Sequence, residues 1–291
     1  MKKVFCTFTV LLLLLSFVPL SDAQRRRPPR KKPDAAATPQ APSKNLGTFV
    51  NHSYQVGDKT HTAALYLPKD YDKTKKYPLV IYLHGGGGNG DNEGDAISGW
   101  ERRHPPSQAL FANPEKYPAL ILIPRCPKGK LWAPTPKNPE QSPWREKRHG
   151  KDPIPDAAEQ LTTAIDEVIK KYSVDEERIS IAGYSMGGEG SILYAALNAD
   201  RFAALASMAG SAVIVPEDAP KLAKMKVWMF QGEKDGVSPT DLAKKMAAAI
   251  KKAGGDVKLT IYPGVGHGFA GTAFGEDDVL GWLIKQKKTK K

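Results

Sequence analysis

A serine set between glycines carries the strongest chemical signal in this 291-residue chain. Gly183-Tyr184-Ser185-Met186-Gly187 follows an apolar run, Arg178–Ala182, and precedes a helical stretch, Glu189–Asn198. Gly-x-Ser-x-Gly at a strand-to-helix junction lifts a hydroxyl above a sheet edge, where it can act as a nucleophile. A turn that sharp leaves no room for side chains beside the serine, hence the glycines. The helix N-terminus beneath it favours negative charge. The Met186 backbone N–H is expected to face the oxygen that becomes anionic during acyl transfer.

A serine hydroxyl is a weak nucleophile and needs a base. The chain has six histidines. His52 and His61 lie in an opening hairpin, His84 starts a glycine run, and His104 and His149 sit in proline-rich stretches. His267 follows the last strand within Gly264-Val265-Gly266-His267-Gly268-Phe269. That places it at the C-terminal edge of the sheet, where sites of such folds lie, so His267 is the expected base. The acid that orients it should follow the preceding strand. Val227–Gln231 runs into Gly232-Glu233-Lys234-Asp235-Gly236, and Asp235 is the choice over Glu233, which sits nearer the strand. The order Ser, Asp, His, with room for helix and strand between each pair, is that of an α/β-hydrolase.

His84-Gly85-Gly86-Gly87-Gly88-Asn89-Gly90 follows the strand Pro78–Leu83. Glycines there free backbone N–H groups to turn into a pocket and donate to an oxyanion. Gly86 is the expected second donor beside Met186, with Gly85 the alternative. The run also satisfies Gly-x-Gly-x-x-Gly, but no apolar helix opens there and no acidic strand end follows, so a dinucleotide site is set aside. No Lys-Ser/Thr pair follows either, which excludes a P-loop. No Cys/His spacing suggests a metal, and the chemistry outlined needs no cofactor.

The elements that must position these residues are legible. Gly47–Val56 and His61–Leu67 alternate around Gly57-Asp58 and predict an antiparallel hairpin. Pro78–Leu83, Ala119–Ile123, Arg178–Ala182, Ala204–Met208, Val227–Gln231 and Val257–Tyr262 are nearly unbroken apolar runs, as strands of a parallel sheet covered on both faces must be. Helical stripes lie between them. Asp156–Tyr172 is expected to open with a capping box of Asp156 and Glu159. A second helix is expected to open at Ser238-Pro239-Thr240-Asp241, with Ser238 as cap, and to run to Lys252. The fold class is therefore α/β: a mostly parallel sheet, an N-terminal antiparallel hairpin, helices on both faces and no large cap domain. Residues 96–155 read mostly as loop, rich in proline, with Trp100, Trp132 and Trp144. Long loops in compact domains are usually functional. Trp132 and Trp144 are the candidate substrate-binding residues, able to stack on sugar or phenolic rings. The rival reading packs the tryptophans beneath loops. Cys126 reads as a buried apolar residue.

The formal charge is +12, but it belongs to the ends: residues 45–284 hold 29 basic and 29 acidic residues. A balanced body disfavours a nucleic-acid-binding face. Residues 1–23 read as a secretory signal cut after Ala23, because Lys2 and Lys3 precede an apolar run, Val4–Val18, too short to span a bilayer. Residues 24–45 read as a basic, Pro/Ala-rich linker with nothing to bury, 46–286 as the catalytic domain, and 287–291 as a basic tail. The expectation is a secreted or periplasmic protein without stable membrane insertion. Its basic ends offer at most weak contact with anionic envelope polymers.

YPLVIYLHGGGG, RISIAGYSMGG, QGEKDGVSP and YPGVGHGF together resemble the α/β-hydrolase superfamily. Within it they resemble secreted esterases of the feruloyl-esterase, acetylxylan-esterase and predicted-peptidase type, near phospholipase/carboxylesterase and dienelactone hydrolase relatives. The resemblance covers about residues 48–285. It implies a triad of Ser185, Asp235 and His267 and an oxyanion hole of Met186 and Gly86, although HGGGG is richer in glycine than the usual HG-x-G. The function it implies is a secreted serine carboxylesterase, acting on small-molecule or polysaccharide esters such as acetyl or feruloyl esters. The alternatives are a serine peptidase or acyltransferase of the same fold, and a non-catalytic polymer-binding protein.

Overall fold

The hydrophobic runs pair into one eight-stranded sheet. The computed structural model describes residues 47–90, 96–97, 99, 101–134, 154–210 and 216–289, all within the unit Ser43–Lys291. The expected signal segment, the linker, Trp100, His149 and Trp144 lie outside the described residues. The strands are β1 (Thr48–Val56), β2 (Lys59–Leu67), β3 (Tyr77–Leu83), β4 (Leu120–Ile123), β5 (Val174–Tyr184), β6 (Ala204–Met208), β7 (Lys226–Gly232) and β8 (Val257–Tyr262). Their spatial order is β1-β2-β4-β3-β5-β6-β7-β8. β1 and β2 are antiparallel, as are β2 and β4, and every later pair is parallel. This is the α/β-hydrolase architecture that the sequence implied.

Side-chain period divides the core between the two faces of the sheet. On β3, Leu79, Ile81 and Leu83 join one cluster, while Val80 and Tyr82 join the other. The first cluster is covered by α2 (Ala158–Lys171), α3 (Met186–Leu197), α4 (Ala219–Leu222) and α5 (Thr240–Lys252). The second is covered by α1 (Pro105–Ala112), α6 (Ala270–Gly275) and α7 (Val279–Lys285). All seven residues of β3 are buried, whereas β1 alternates and the edge strand β8 is half-exposed. Each fully buried Leu or Ile contributes roughly 2 kcal/mol relative to exposure, so the central strands anchor the loops that leave them.

Two expected helix caps are absent, for the same reason. Asp156 Oδ1 accepts the Ala158 N–H at 3.0 Å in the turn before α2, and no side chain caps that helix. The Ser238 hydroxyl donates to the Ala209 carbonyl at 2.8 Å, tying the loop after β7 to the end of β6, and α5 starts from Pro239 instead. In both cases the side chain takes a partner other than the one expected of the cap, a local one for Asp156 and a tertiary one for Ser238. At the other end, the Lys288 N–H donates to the Glu177 carbonyl at 2.9 Å, so the first residues of the basic tail lie along β5. Among the described residues no helix is long and apolar enough to cross a membrane.

Candidate active site

β5 ends at Tyr184, α3 begins at Met186, and Ser185 turns the corner with φ 56° and ψ −120°. That left-handed φ costs an L-residue on the order of 1–3 kcal/mol and persists only where neighbours enforce it. Here they do. The Ser185 N–H donates to the Met208 carbonyl at 2.8 Å, and the Ser185 carbonyl accepts the Glu189 N–H at 2.9 Å. The flanking glycines are required by close approach. A Cβ on Gly183 would strike the Gly187 carbonyl, and one on Gly187 would strike the Leu83 carbonyl. The Met186 N–H is the first donor of α3, with no acceptor inside the helix.

The loops after β7 and β8 bring an acid and an imidazole to that corner. His267 Nε2 lies 2.9 Å from Ser185 Oγ, and His267 Nδ1 lies 2.8 Å from Asp235 Oδ2. A carboxylate can only accept, so Nδ1 carries the hydrogen and Nε2 accepts the serine O–H. The Asp235 side chain is fully buried while that of His267 is 24% exposed. Asp235 Oδ1 accepts the N–H groups of Val237 (2.8 Å) and Ser238 (2.9 Å), and Oδ2 accepts the Gln231 amide at 2.9 Å. These donors compensate the burial of the charge. Glu233, the rival acid, does other work: its Oε2 accepts the Gly264 N–H at 2.7 Å and shapes the histidine loop. The Tyr184 hydroxyl donates to the His267 carbonyl at 2.9 Å, and its ring centroid lies 5.2 Å from the imidazole. Burial, and secondarily the Asp235 charge, pushes the Tyr184 hydroxyl above the usual phenol range.

The glycine loop after β3 forms a single 3₁₀ turn, Gly86–Gly88, closed by the Gly88 N–H on the Gly85 carbonyl at 3.0 Å. The Gly86 and Gly87 amides lead that turn and have no acceptor within it. His84 holds the loop from below. Its Nδ1 sits 2.7 Å from the Gly85 carbonyl, and its Nε2 accepts the Cys126 N–H at 3.0 Å. Arg125 Nε donates to the Gly88 carbonyl at 3.3 Å. Burial first, with a smaller contribution from the neighbouring Arg125, lowers the His84 pKa to about 4, against the bond to the Gly85 carbonyl, which raises it. Burial pushes the Cys126 thiol up to about 12, so it is a packed thiol and not a nucleophile.

A cavity of about 760 Å³ opens above these groups, with Ser185, His267, Met186, Gly85, Gly86 and Gly87 in its lining. Leu131, Ile154 and Val237 give it apolar wall, and Asn89, Lys130 and Glu189 give it polar wall. Trp132 is not part of that wall. It is 2% exposed, its indole N–H donates to the His84 carbonyl at 2.9 Å, and its ring meets His84 edge-on. The expectation that Trp132 stacks on substrate is therefore corrected: it packs beneath the glycine loop, where its area is better buried. The other described histidines serve packing. His52 Nε2 donates to the Ala164 carbonyl at 3.2 Å, His61 stacks on Tyr54, and His104 stacks on His84. Gln231, Ser238, Tyr184 and the strut role of His84 carry no local sequence signal, because each depends on a partner from another loop or strand.

Residues 135–278 match the model of the dienelactone hydrolase family. Acyl-protein thioesterase 1 of Gibberella zeae is 25% identical over 215 residues, covering 71% of this chain and 89% of that protein. Among solved structures, a thermostable esterase is similar with a TM-score of 0.64 at 24% identity, over 82% of this chain and 63% of that one. This chain thus spans somewhat less than two thirds of that esterase. A mutant feruloyl esterase module from Clostridium thermocellum, complexed with sinapinate, is similar with a TM-score of 0.57 at 18% identity, over 86% of this chain and 93% of the module. Those structural likenesses carry the fold. The chain has the α/β-hydrolase fold, is similar over residues 135–278 to the dienelactone hydrolase family, and is an enzyme of the serine hydrolase class.

Proposed function

We propose that this chain is an exported carboxylesterase in which Ser185, His267 and Asp235 carry the reaction. The observation that bears the most weight is the unbroken hydrogen-bond chain from Ser185 Oγ through His267 to Asp235 Oδ2, at 2.9 and 2.8 Å. In the proposed sequence, Ser185 Oγ attacks the ester carbonyl as its proton passes to His267 Nε2. The Met186 and Gly86 amides donate to the resulting oxyanion. Collapse breaks the bond to the leaving alkoxide, which takes the proton from Nε2. Water, deprotonated by the same nitrogen, then releases the acid and restores Ser185. Asp235 holds the Nδ1–H tautomer and stabilises the imidazolium between steps.

Esters of polysaccharide, acetyl or feruloyl, are the proposed substrates. A cavity of about 760 Å³ with both apolar and polar wall supports an acyl group of aromatic size, since such ligand sites span roughly 300–1,000 Å³. The feruloyl esterase module of similar fold supports the same reading. The basic N-terminal start and short apolar run support export, and the basic ends allow weak contact with anionic envelope polymers. The test is a panel of p-nitrophenyl acetate, methyl ferulate, longer acyl esters and a peptide amide, with Ser185→Ala as blank. The expected result is ester turnover that falls roughly 10⁴- to 10⁶-fold in Ser185→Ala, with melting temperature nearly unchanged. Retained turnover would point to another nucleophile, and faster amide than ester cleavage would make the enzyme a peptidase.

A further inference from the structure

Gln231 lies next to the end of β7 and is wholly buried, four residues before the acid. Its side-chain amide donates twice: to Asp235 Oδ2 at 2.9 Å and to the Ser238 carbonyl at 2.8 Å. A primary amide has two N–H protons, so both are committed. Asp235 Oδ1 is held by backbone amides of its own loop, those of Val237 and Ser238. Oδ2 is shared between Gln231 and His267 Nδ1. The torsion that turns a carboxylate about its Cβ–Cγ bond is broad and weakly biased. Donors on Oδ1 alone come from a loop that moves with the acid. Gln231 supplies the donor to Oδ2 from β7, which is paired on both sides within the sheet.

We propose that Gln231 is a positioning residue for the reaction. Its amide locks the Asp235 carboxylate at the torsion that presents Oδ2 to His267, and anchors the acid loop to the sheet through the Ser238 carbonyl. The inference rests on the reading of Ser185, His267 and Asp235 as the reacting chain. Removing the amide frees the carboxylate to turn and leaves His267 Nδ1–H as the one side-chain donor to Oδ2 among the contacts described. A glutamate at this position does worse, since it sets acceptor oxygens against two acceptors, Asp235 Oδ2 and the Ser238 carbonyl.

The test uses the full chain with Gln231→Met, which conserves length and volume, and Gln231→Glu, beside wild type and the Ser185→Ala blank. Three quantities are read: kcat and KM on p-nitrophenyl acetate, the low-field proton resonance of the His267 Nδ1–H, and melting temperature. The expected result for Gln231→Met is a kcat roughly 10- to 100-fold lower, with KM within about twofold of wild type. The low-field line is expected to move, and Gln231→Glu to lose more turnover than Gln231→Met. A Gln231→Met protein with a lower melting temperature but wild-type kcat and an unmoved line would show that Gln231 serves packing alone, and would overturn the proposal. If the methionine variant does not fold, Gln231→Asn decides by the same readouts, because its shorter amide reaches one acceptor at most. Turnover persisting in Ser185→Ala would instead overturn the triad. The proton line reads the Gln231–Asp235–His267 contact independently of turnover, so the two failures are distinguishable.

Discussion

Two imidazoles stand at the C-terminal edge of the sheet, one below the glycine loop and one above the serine. His84 bonds a backbone carbonyl through Nδ1 and a backbone N–H through Nε2. His267 bonds a carboxylate through Nδ1 and a hydroxyl through Nε2. Both are therefore fixed as the same neutral tautomer. Their partners differ in what they can become. The Cys126 N–H cannot accept, so a proton on His84 Nε2 would face another N–H, in a site 1% exposed and beside Arg125. A serine hydroxyl can reverse its role, and a carboxylate offsets the charge of an imidazolium. One ring is thereby a strut, and the other is the relay of the proposed reaction. Bond count does not separate them; burial does, and so does the reversibility of the partners.

The largest effect expected from this contrast comes from spoiling the partner of the relay. Asp235→Asn keeps the shape but presents an amide that must serve the donors of Val237, Ser238 and Gln231 as well as His267. The imidazole is then driven toward the other tautomer, whose Nε2–H cannot take the serine proton. kcat is expected to fall about 10⁴-fold, measured against active-site titration of folded protein. A loss below about tenfold would place the orienting acid elsewhere, with Glu233 the first residue to examine.

The strut should fail in a different way. His84→Leu removes one donor and one acceptor beneath the glycine loop, so the amides of Gly86 and Gly87 lose their fixed aim. A loss of roughly 100-fold in kcat is expected if an oxyanion donor is misplaced. The pH dependence of stability supplies a second signature. Burial first, and Arg125 second, lower the folded-state His84 pKa from 6.5 to about 4, so below pH 6.5 the unfolded chain binds the proton more readily than the folded one. The stabilisation is thus complete above pH 6.5 and is lost as pH falls toward about 4. Between pH 6.5 and pH 5 this amounts to about 2 kcal/mol. Burial, with His84 and Arg125 nearby, also lowers His104, to about 3; the two rings are coupled and do not add. Urea unfolding at several pH values should show that slope in wild type and a flatter one in His84→Leu. Equal slopes would mean that another group, such as buried His52, lowered to about 4 mainly by burial, dominates acid sensitivity.

The relay was easier to read from sequence than the strut, and the reason is physical. Ser185 sits among glycines that leave a mark on the sequence, because a corner with φ 56° admits few neighbours, and His267 lies in a glycine-rich loop. The bounds of β6 and β8 agree to the residue with the runs Ala204–Met208 and Val257–Tyr262; for β6, buried throughout, a parallel strand tolerates little but apolar residues. Struts leave no such mark. Trp132 reaches His84 across 48 positions, and Tyr184 reaches His267 across 83. An indole in a proline-rich stretch reads as a sugar platform or, by burial preference, more often as packing, and Trp132 follows that preference. The missed helices have related causes. α1 opens on Pro105-Pro106 inside a segment that reads as loop. α7 is buried on most sides, so it lacks the polar stripe that betrays a surface helix. Ser238 and Asp156 are cap-forming types whose side chains found other partners.

The smallest expected effect asks how far the relay depends on the serine corner itself. Tyr184 lies between Gly183 and the nucleophile, yet its hydroxyl supports the base through the His267 carbonyl at 2.9 Å. Tyr184→Phe keeps the ring against the imidazole and deletes that bond. The histidine loop has independent supports: the Gly264 N–H on Glu233 Oε2 at 2.7 Å, the Lys234 N–H on the Val265 carbonyl at 2.8 Å, and the Glu233 N–H on the Tyr262 carbonyl at 3.0 Å. One lost bond among several is worth roughly 1 kcal/mol, so a kcat loss of no more than about fivefold is expected, with KM unchanged. Steady-state kinetics on a soluble ester measures it. A hundredfold loss would mean that the corner carries its own base, the remaining loop bonds being insufficient. The relay would then be a single rigid unit with the nucleophile, and the strut, not the relay, would be the more independent of the two imidazoles.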